Sequence, residues 1–300
     1  MSDAEKDPHS QRRATITAAL LLSMIAVLWG ANWPIMKVGL SEIPPWVFRA
    51  TASAYSAIGL FIIAKMSGQS LYVPKADRVN LVICAMLNMA LWNILILYGI
   101  ALMDSGRAAI LAYTMPLWAS LTGVVLLKEK LSPRAIMGLA LGLAGMGALF
   151  SVGDNLSMDR IWGPVLVVLA AMCWGAGTAF IKYAQFSMPV TVTVAWQHFL
   201  GAVPIAAVAL LYDVKHIDTL SFWPVMAVVY NMTVTGIVCY MAYFKVVTML
   251  PVVASTVGTL MVPVLGVFFN ALIFNVTPVI QDYIALGCVA IAVALVMIKR

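Results

Sequence analysis

Charge is scarce in this sequence. Of its 300 residues 10% are Asp, Glu, Lys or Arg and 63% are hydrophobic, with a mean hydropathy of +0.98. That balance lies far outside the range of soluble domains and excludes a soluble enzyme or binding module. Cysteine is sparse as well. Cys84, Cys173, Cys239 and Cys288 show no paired ligand spacing, so neither a disulfide framework nor a metal site is expected, and no cofactor is implied. Strict apolar–polar alternation is missing, which argues against a β-barrel. Residues 1–14 lack the charged, apolar and small-residue order of a cleaved signal, and are expected to form a short disordered tail.

What is present is long apolar runs. Stretches of about 20 residues, enough to cross roughly 30 Å of hydrocarbon, can be marked at 15–37, 46–65, 79–102, 106–127, 132–151, 162–184, 190–211, 222–247, 252–274 and 278–298. Continuous runs in lipid must be helices, since only a helix satisfies its own backbone. The joints carry breakers such as Pro44-Pro45, Gly153-Asp154-Asn155 and Ser132-Pro133, the serine placed to cap the helix that follows.

The chain also contains its own copy. Trp29, Gly30, Ala31 and Lys37 recur 145 residues later as Trp174, Gly175, Ala176 and Lys182. Pro44 maps in the same way to Pro189, Pro133 to Pro278 and Gly142 to Gly287, and Pro116 pairs with Pro263 after a two-residue insertion. Similarity this long means a duplicated unit. The fold class expected is an all-α integral membrane protein, with ten transmembrane helices arranged as two repeats of five, 15–151 and 162–298. An odd number of spans makes the second copy enter the membrane from the opposite side, so the repeats are inverted.

Charge placement sets the orientation. With a cytoplasmic N-terminus, Lys6, Arg12, Arg13, Lys65, Lys75, Arg78, Lys128, Lys130, Arg134, Lys182, Lys245, Lys299 and Arg300 fall inside, and Lys37, Arg49, Arg107, Arg160 and Lys215 outside. Thirteen against five follows the positive-inside rule and puts both termini in the cytoplasm of a bacterial inner membrane protein. The net charge of +6 is therefore mostly a topology signal. Its spread over short loops gives no stripe for nucleic acid, and the partners expected are a small-molecule substrate and the lipid bilayer. A monomer and a homodimer both stay open.

Inverted helical repeats are the ground plan of secondary transporters. Trp29-Gly30 with Lys37, Pro44-Pro45 followed by Arg49, Thr114-Met115-Pro116-Leu117 leading through Lys128-Glu129-Lys130 to Leu131, and the Gly138, Gly142, Gly145 ladder together resemble the EamA domain, the repeat of the drug/metabolite transporter superfamily. The resemblance covers nearly the whole chain as two copies. It implies a ten-helix carrier of small metabolites working by alternating access, often an exporter of amino acids or related compounds, and not an enzyme. The second copy departs from the pattern, with Val194 where Arg49 would recur and Phe274 in place of Glu129.

Interrupted helices at matching positions point to the substrate site. Pro116 and Pro263 fit, each freeing a carbonyl near residue 112 or 259, although a plain packing kink is an equal reading. Tyr113 and Thr114, or Thr256 and Thr259, would face such gaps. Mid-span polar and aromatic residues give the second line, because a polar group facing lipid is costly. Asn88 and Trp92 share one face of the third helix with Asn93 beside them, Trp29 and Trp33 a face of the first, Trp174 and Thr178 of the sixth, and Asn231 and Thr235 of the eighth. Trp29, Trp92 and Trp174 are read as cavity lining, whereas Trp46, Trp162 and Trp223 at span ends are read as interfacial anchors.

His198, beside Trp196 and Gln197, is either a packed, hydrogen-bonded side chain or a proton carrier. Arg49 snorkels or holds a substrate carboxylate. Lys37 and Lys182 are read as snorkelling anchors, and Glu129 as a local partner of Lys128 and Lys130 or a loop cap, with gating as the alternative. The glycine ladder serves contacts within the bundle or at a dimer surface. Since none of the twelve acidic residues is central in a span, facilitated diffusion or exchange is expected unless His198 carries a proton. Nucleobases, vitamins and drugs are alternative cargoes. A lipid-modifying membrane enzyme and an accessory membrane subunit are alternatives of another class; the first lacks an acidic cluster or a nucleophile with its base, and the second has no use for mid-span polar residues.

Overall fold

The computed structural model describes residues 8–102, 111–150, 162–213, 220–275 and 277–297, and all regular structure among them is helical. In chain order the helices are α1 (Pro8–Gly39), α2 (Pro45–Met66), α3 (75–102), α4 (Met115–Leu127), α5 (Pro133–Phe150), α6 (Trp162–Ala184), α7 (Val190–Tyr212), α8 (222–249), α9 (252–274) and α10 (Ile280–Met297). Seven are long and apolar enough to cross a membrane: α1, α2, α3, α6, α7, α8 and α9. The apolar runs in α4, α5 and α10 are shorter among the described residues. Residues 103–110 and 151–161, where the expected fourth span begins and the two repeats join, lie outside them, as do Arg107, Arg160 and Lys215.

Helix α1 corrects one expectation. It starts at Pro8 rather than near residue 15, so half of the presumed tail extends the first helix. Ser132 caps α5 as expected, its Oγ accepting the Ala135 N–H at 3.2 Å.

The duplication is visible in backbone irregularities. Met86–Leu91 in α3 and Asn231–Cys239 in α8 are π-helical and begin 145 residues apart. Such insertions re-aim the side chains that follow them and concentrate at functional sites. Helix α4 starts only after a turn at Tyr113 and Thr114, and α9 breaks at Thr259 and Leu260, each just before its proline. Both end on a left-handed residue, Lys128 with φ 54° and Asn275 with φ 53°.

Packing follows the same exchange. Helix α2 lies against its counterpart α7 and α5 against α10, while the α1–α9 contact is matched by α6–α4 and the α3–α6 contact by α8–α1. Helices α2 and α7 run antiparallel, with Trp46 beside Asp213 at one end and Ala64 beside Val192 at the other.

The recurring glycines explain two of these contacts. A Cβ on Gly30 would press on Val262 O and Leu265 of α9, and one on Gly175 on Met115 O and Ala119 N of α4. Only a residue without a side chain lets the helices approach so closely. Pro34 removes the N–H that would bond the Gly30 carbonyl, and that carbonyl faces Gly266 of α9. The ladder glycine Gly142 sits against Leu260 and Ala292, so at that position it serves packing within the bundle.

Candidate functional site

Two regions collect the predicted residues. The first is an aromatic core at mid-bundle. Trp174 stacks on Tyr243 with ring centroids 5.9 Å apart, and has Trp92 at 5.3 Å, Trp29 at 6.3 Å and Tyr240 at 5.8 Å. His198 joins edge-on, 4.6 Å from Tyr240. Asn88 donates from Nδ2 to the Trp174 carbonyl at 3.2 Å, and Thr178 shares a hydrogen bond with the Tyr243 hydroxyl at 3.1 Å. Four predicted residues, Trp29, Asn88, Trp92 and Trp174, thus meet with His198 around α6. Tyr240 and Tyr243, which complete the group, were not expected; they follow the π-helical stretch of α8 and are turned inward by it, a bend that no residue pattern announces.

This core is buried and under-satisfied. His198 is 3% exposed and Gln197 fully buried. Both ring nitrogens of His198, both amide atoms of Gln197 and Oδ1 of Asn88 have no hydrogen-bond partner among the described residues. The Gly236 backbone lies beside the His198 ring without reaching hydrogen-bond geometry. Each such buried group costs about 1–3 kcal/mol, so their retention needs a reason beyond packing.

The second region is a cavity of about 1000 Å³ between α1, α2, α3 and α9 at the end of the bundle where α1 finishes and α2 begins. Trp33, Lys37, Arg49, Pro263 and Asn270 are on its wall. The Trp33 indole N–H donates to the Tyr113 hydroxyl at 3.3 Å, which brings the expected Tyr113 to this side. Arg49 is half-buried, and its hydrogen bond is to the Met36 sulfur at 3.2 Å. Among the described residues no carboxylate pairs with it; the single ion pair is Lys182 with Glu129. An uncompensated arginine within a span costs about 3 kcal/mol. Trp46, expected as an interfacial anchor, is instead 8% exposed and lines the cavity, its backbone N–H held by Asp213 at 2.9 Å. Trp162 and Trp223, 68% and 71% exposed, stay at the surface.

Other expectations are redirected. Asn93 and Asn231 bond backbone carbonyls of their own helices, Met89 at 2.6 Å and Ala227 at 3.1 Å, and Asn231 does not act together with Thr235, which donates to Asn32 Oδ1 at 3.1 Å. The carbonyl of residue 259 is not left free, because the Val262 N–H closes a tight turn onto it at 3.0 Å. Glu129 does not pair with its sequence neighbours. It meets Lys182 of α6 at 2.7 Å and accepts the Val252 N–H at 3.2 Å, while Lys182 also donates to the Leu250 carbonyl at 3.0 Å. Lys182 is therefore a structural tie and not a snorkelling anchor. The left-handed turn at Lys128 is what swings Glu129 toward α6.

A helical bundle with a membrane-spanning composition, a twofold internal repeat and a large cavity at one end defines a multi-pass membrane protein of the transporter class. The family profile described as EamA-like transporter family matches residues 16–151 and again 161–298, so the chain belongs to that family. An uncharacterized transporter of Bacillus subtilis, YoaV, is 27% identical over 84% of this chain and 87% of its own. An uncharacterized inner membrane transporter of Escherichia coli, YedA, is 24% identical over 93% and 90%, and a probable amino-acid metabolite efflux pump of the same organism is 23% identical over 85% and 86%. A solved crystal structure superposes with a TM-score of 0.79 at 17% identity, covering 94% of this chain and 97% of that one, which shows the shared fold.

Proposed function

We propose that the chain is a secondary transporter of the bacterial inner membrane, with both termini cytoplasmic, that moves small amphipathic metabolites by alternating access and serves as an exporter of amino acids or similar compounds. Its ten helices form two inverted repeats, 15–151 and 162–298. One observation carries the reading: the large cavity at the Arg49 end has at the opposite end a counterpart of about 340 Å³, narrowed where Lys182 ties to Glu129. One site accessible from one side at a time is what alternating access requires. The positive-inside assignment makes the Arg49 end periplasmic. The antiparallel run of α2 and α7 supports inversion, the E. coli efflux relative supports amino-acid cargo, and the cavity volume suits a metabolite of that size. Trp33, Arg49 and Tyr113 would hold substrate in the wider cavity before its release. Trp29, Asn88, Trp92, Asn93, Trp174, His198 and Asn231 would support or line its path.

Flux in proteoliposomes, without an ion gradient and then with one, tests this with a panel of labelled amino acids, nucleobases and vitamins. Saturable amino-acid flux that disappears in Trp92→Ala is expected. Silence across the panel with folded protein would overturn the cargo assignment and move an unusual cargo or a non-transport role ahead.

A second reading of the energetics is favoured by His198, whose ring has no hydrogen-bond partner among the described residues and faces Tyr240 in the buried core. In it His198 carries a proton in exchange with substrate. Concentrative flux driven by a pH gradient and lost in His198→Ala would establish it; no response to the gradient leaves facilitated diffusion or exchange.

A further inference from the structure

Resting on the transport reading, we propose that Arg49 and Lys37 form a carboxylate-binding subsite in the cavity, so that the cargo is a carboxylic acid with an apolar body. The argument starts from charge. Lys37, Arg49 and Asp213 are the charged side chains on the wall. Asp213 is already engaged at the start of α2, where its carboxylate accepts the Trp46 N–H at 2.9 Å. Arg49 is turned toward a thioether, a weak acceptor that takes one of five N–H groups. Lys37 rests its ammonium on the Phe274 ring, 4.9 Å from the centroid, and has no carboxylate partner among the described residues. Two cations without counter-ions among the described residues thus share one cavity with one committed acid.

A planar guanidinium fork is shaped for a carboxylate, and an ammonium adds a point charge. With one arginine, one lysine and a nearby acid, the balance fits a monoanionic head; a phosphate dianion would need more cations. The rest of the wall receives an apolar body, with Trp33, Ile96, Leu97, Pro263 and Val267 along it. The subsite belongs to one repeat only. Val194 occupies the position of Arg49 in the second copy and is fully buried, and it lines the smaller pocket. In the export direction the carboxylate therefore enters from the valine side, is held at Arg49 and leaves through the Arg49 end.

The test is equilibrium dialysis of the purified full chain at pH 7 with radiolabelled 3-phenylpropanoate and L-phenylalanine, each beside its primary amide. Each acid is expected to bind at least about tenfold tighter than its amide, the value of a charge-assisted hydrogen bond in an enclosed site. Arg49→Gln abolishes that difference, Arg49→Lys keeps part of it, and Lys37→Gln weakens acid binding about threefold. Acids binding no tighter than amides in the wild type, or a preference surviving in Arg49→Gln, overturns the subsite. Should Arg49→Gln fail to yield folded protein, the acid-to-amide ratios of the wild type and Arg49→Lys decide. Flux on the same proteins separates the two readings. Wild-type flux of a neutral cargo through Arg49→Gln leaves transport standing and overturns the subsite; acid binding lost in Arg49→Gln, with no cargo moved by any protein, supports the subsite and removes transport.

Discussion

The two ends of the bundle are built from the same segment twice, yet one holds a cavity of about 1000 Å³ and the other a pocket of about 340 Å³. Their frames correspond closely. At the wider end Glu42 accepts the backbone N–H and hydroxyl of Ser221, both at 2.7 Å; at the narrower end Asp77 accepts the same two groups of Ser187 at 3.2 and 2.6 Å. In both pairs the acid lies in the first repeat and the serine in the second, and Glu42 and Ser187 occupy matching positions 145 residues apart. Three differences inside that frame separate the ends. Lys182 meets a carboxylate where Lys37 meets only the Phe274 ring, Val194 stands opposite Arg49, and Phe186 fills the place of Ser41. A handful of side chains, and not the backbone plan, sets which end is narrow.

The largest effect is expected at the pivot both ends share. Trp174→Ala removes the ring on which Trp29, Trp92, Tyr240 and Tyr243 converge and should cost about 3–5 kcal/mol, read as a lowered midpoint of unfolding in detergent. Next comes the tie at the narrow end. Glu129→Gln leaves Lys182 without its counter-charge and should favour opening there by about 2 kcal/mol, roughly thirtyfold in population. Maleimide labelling of a cysteine placed at Thr193, in a chain without its native cysteines, should accelerate accordingly; an unchanged rate would deny the ion pair any gating role.

The converse change would make the ends alike. Phe274→Glu gives Lys37 a partly exposed ion pair worth about 1 kcal/mol and should slow labelling of a cysteine at Ser41 about fivefold. The smallest effect concerns Glu42. The Ser221 N–H, and then its hydroxyl, hold that carboxyl below its ordinary value. A depressed carboxylate stabilises the folded form above the unfolded value near 4 and loses that contribution as pH falls through the lower folded value. The unfolding midpoint in detergent should therefore fall as pH drops through that lower value, and Glu42→Gln should remove this part of the dependence.

Much of this was legible before any coordinates. The helices, the repeat and the interruptions before Pro116 and Pro263 follow from local rules of backbone and burial, and the pairing of Asn88 with Trp92 on one face survives because both turn to Trp174. A capping role for Glu129 was legible and its ion-pair partner was not, because adjacent lysines are visible in the chain whereas Lys182 is 53 residues away. The burial of Trp46 was missed because Ile205 and Ala209 of α7, which cover it, lie far away in the chain, and Tyr240 and Tyr243 were missed for another reason. A π-helical stretch shifts the phase of every side chain after it, and period counting assumes that the phase continues.

By itself the sequence determined that the chain is helical, belongs in a membrane and carries a duplicated unit, because hydrocarbon forces each backbone to satisfy itself within one segment. Which lysine finds a carboxylate, which arginine stays unpaired and which end of the bundle is narrow were decided by tertiary structure. Those outcomes depend on distances between helices far apart in the chain, and a spacing along one helix says nothing about what the neighbouring helix presents to it.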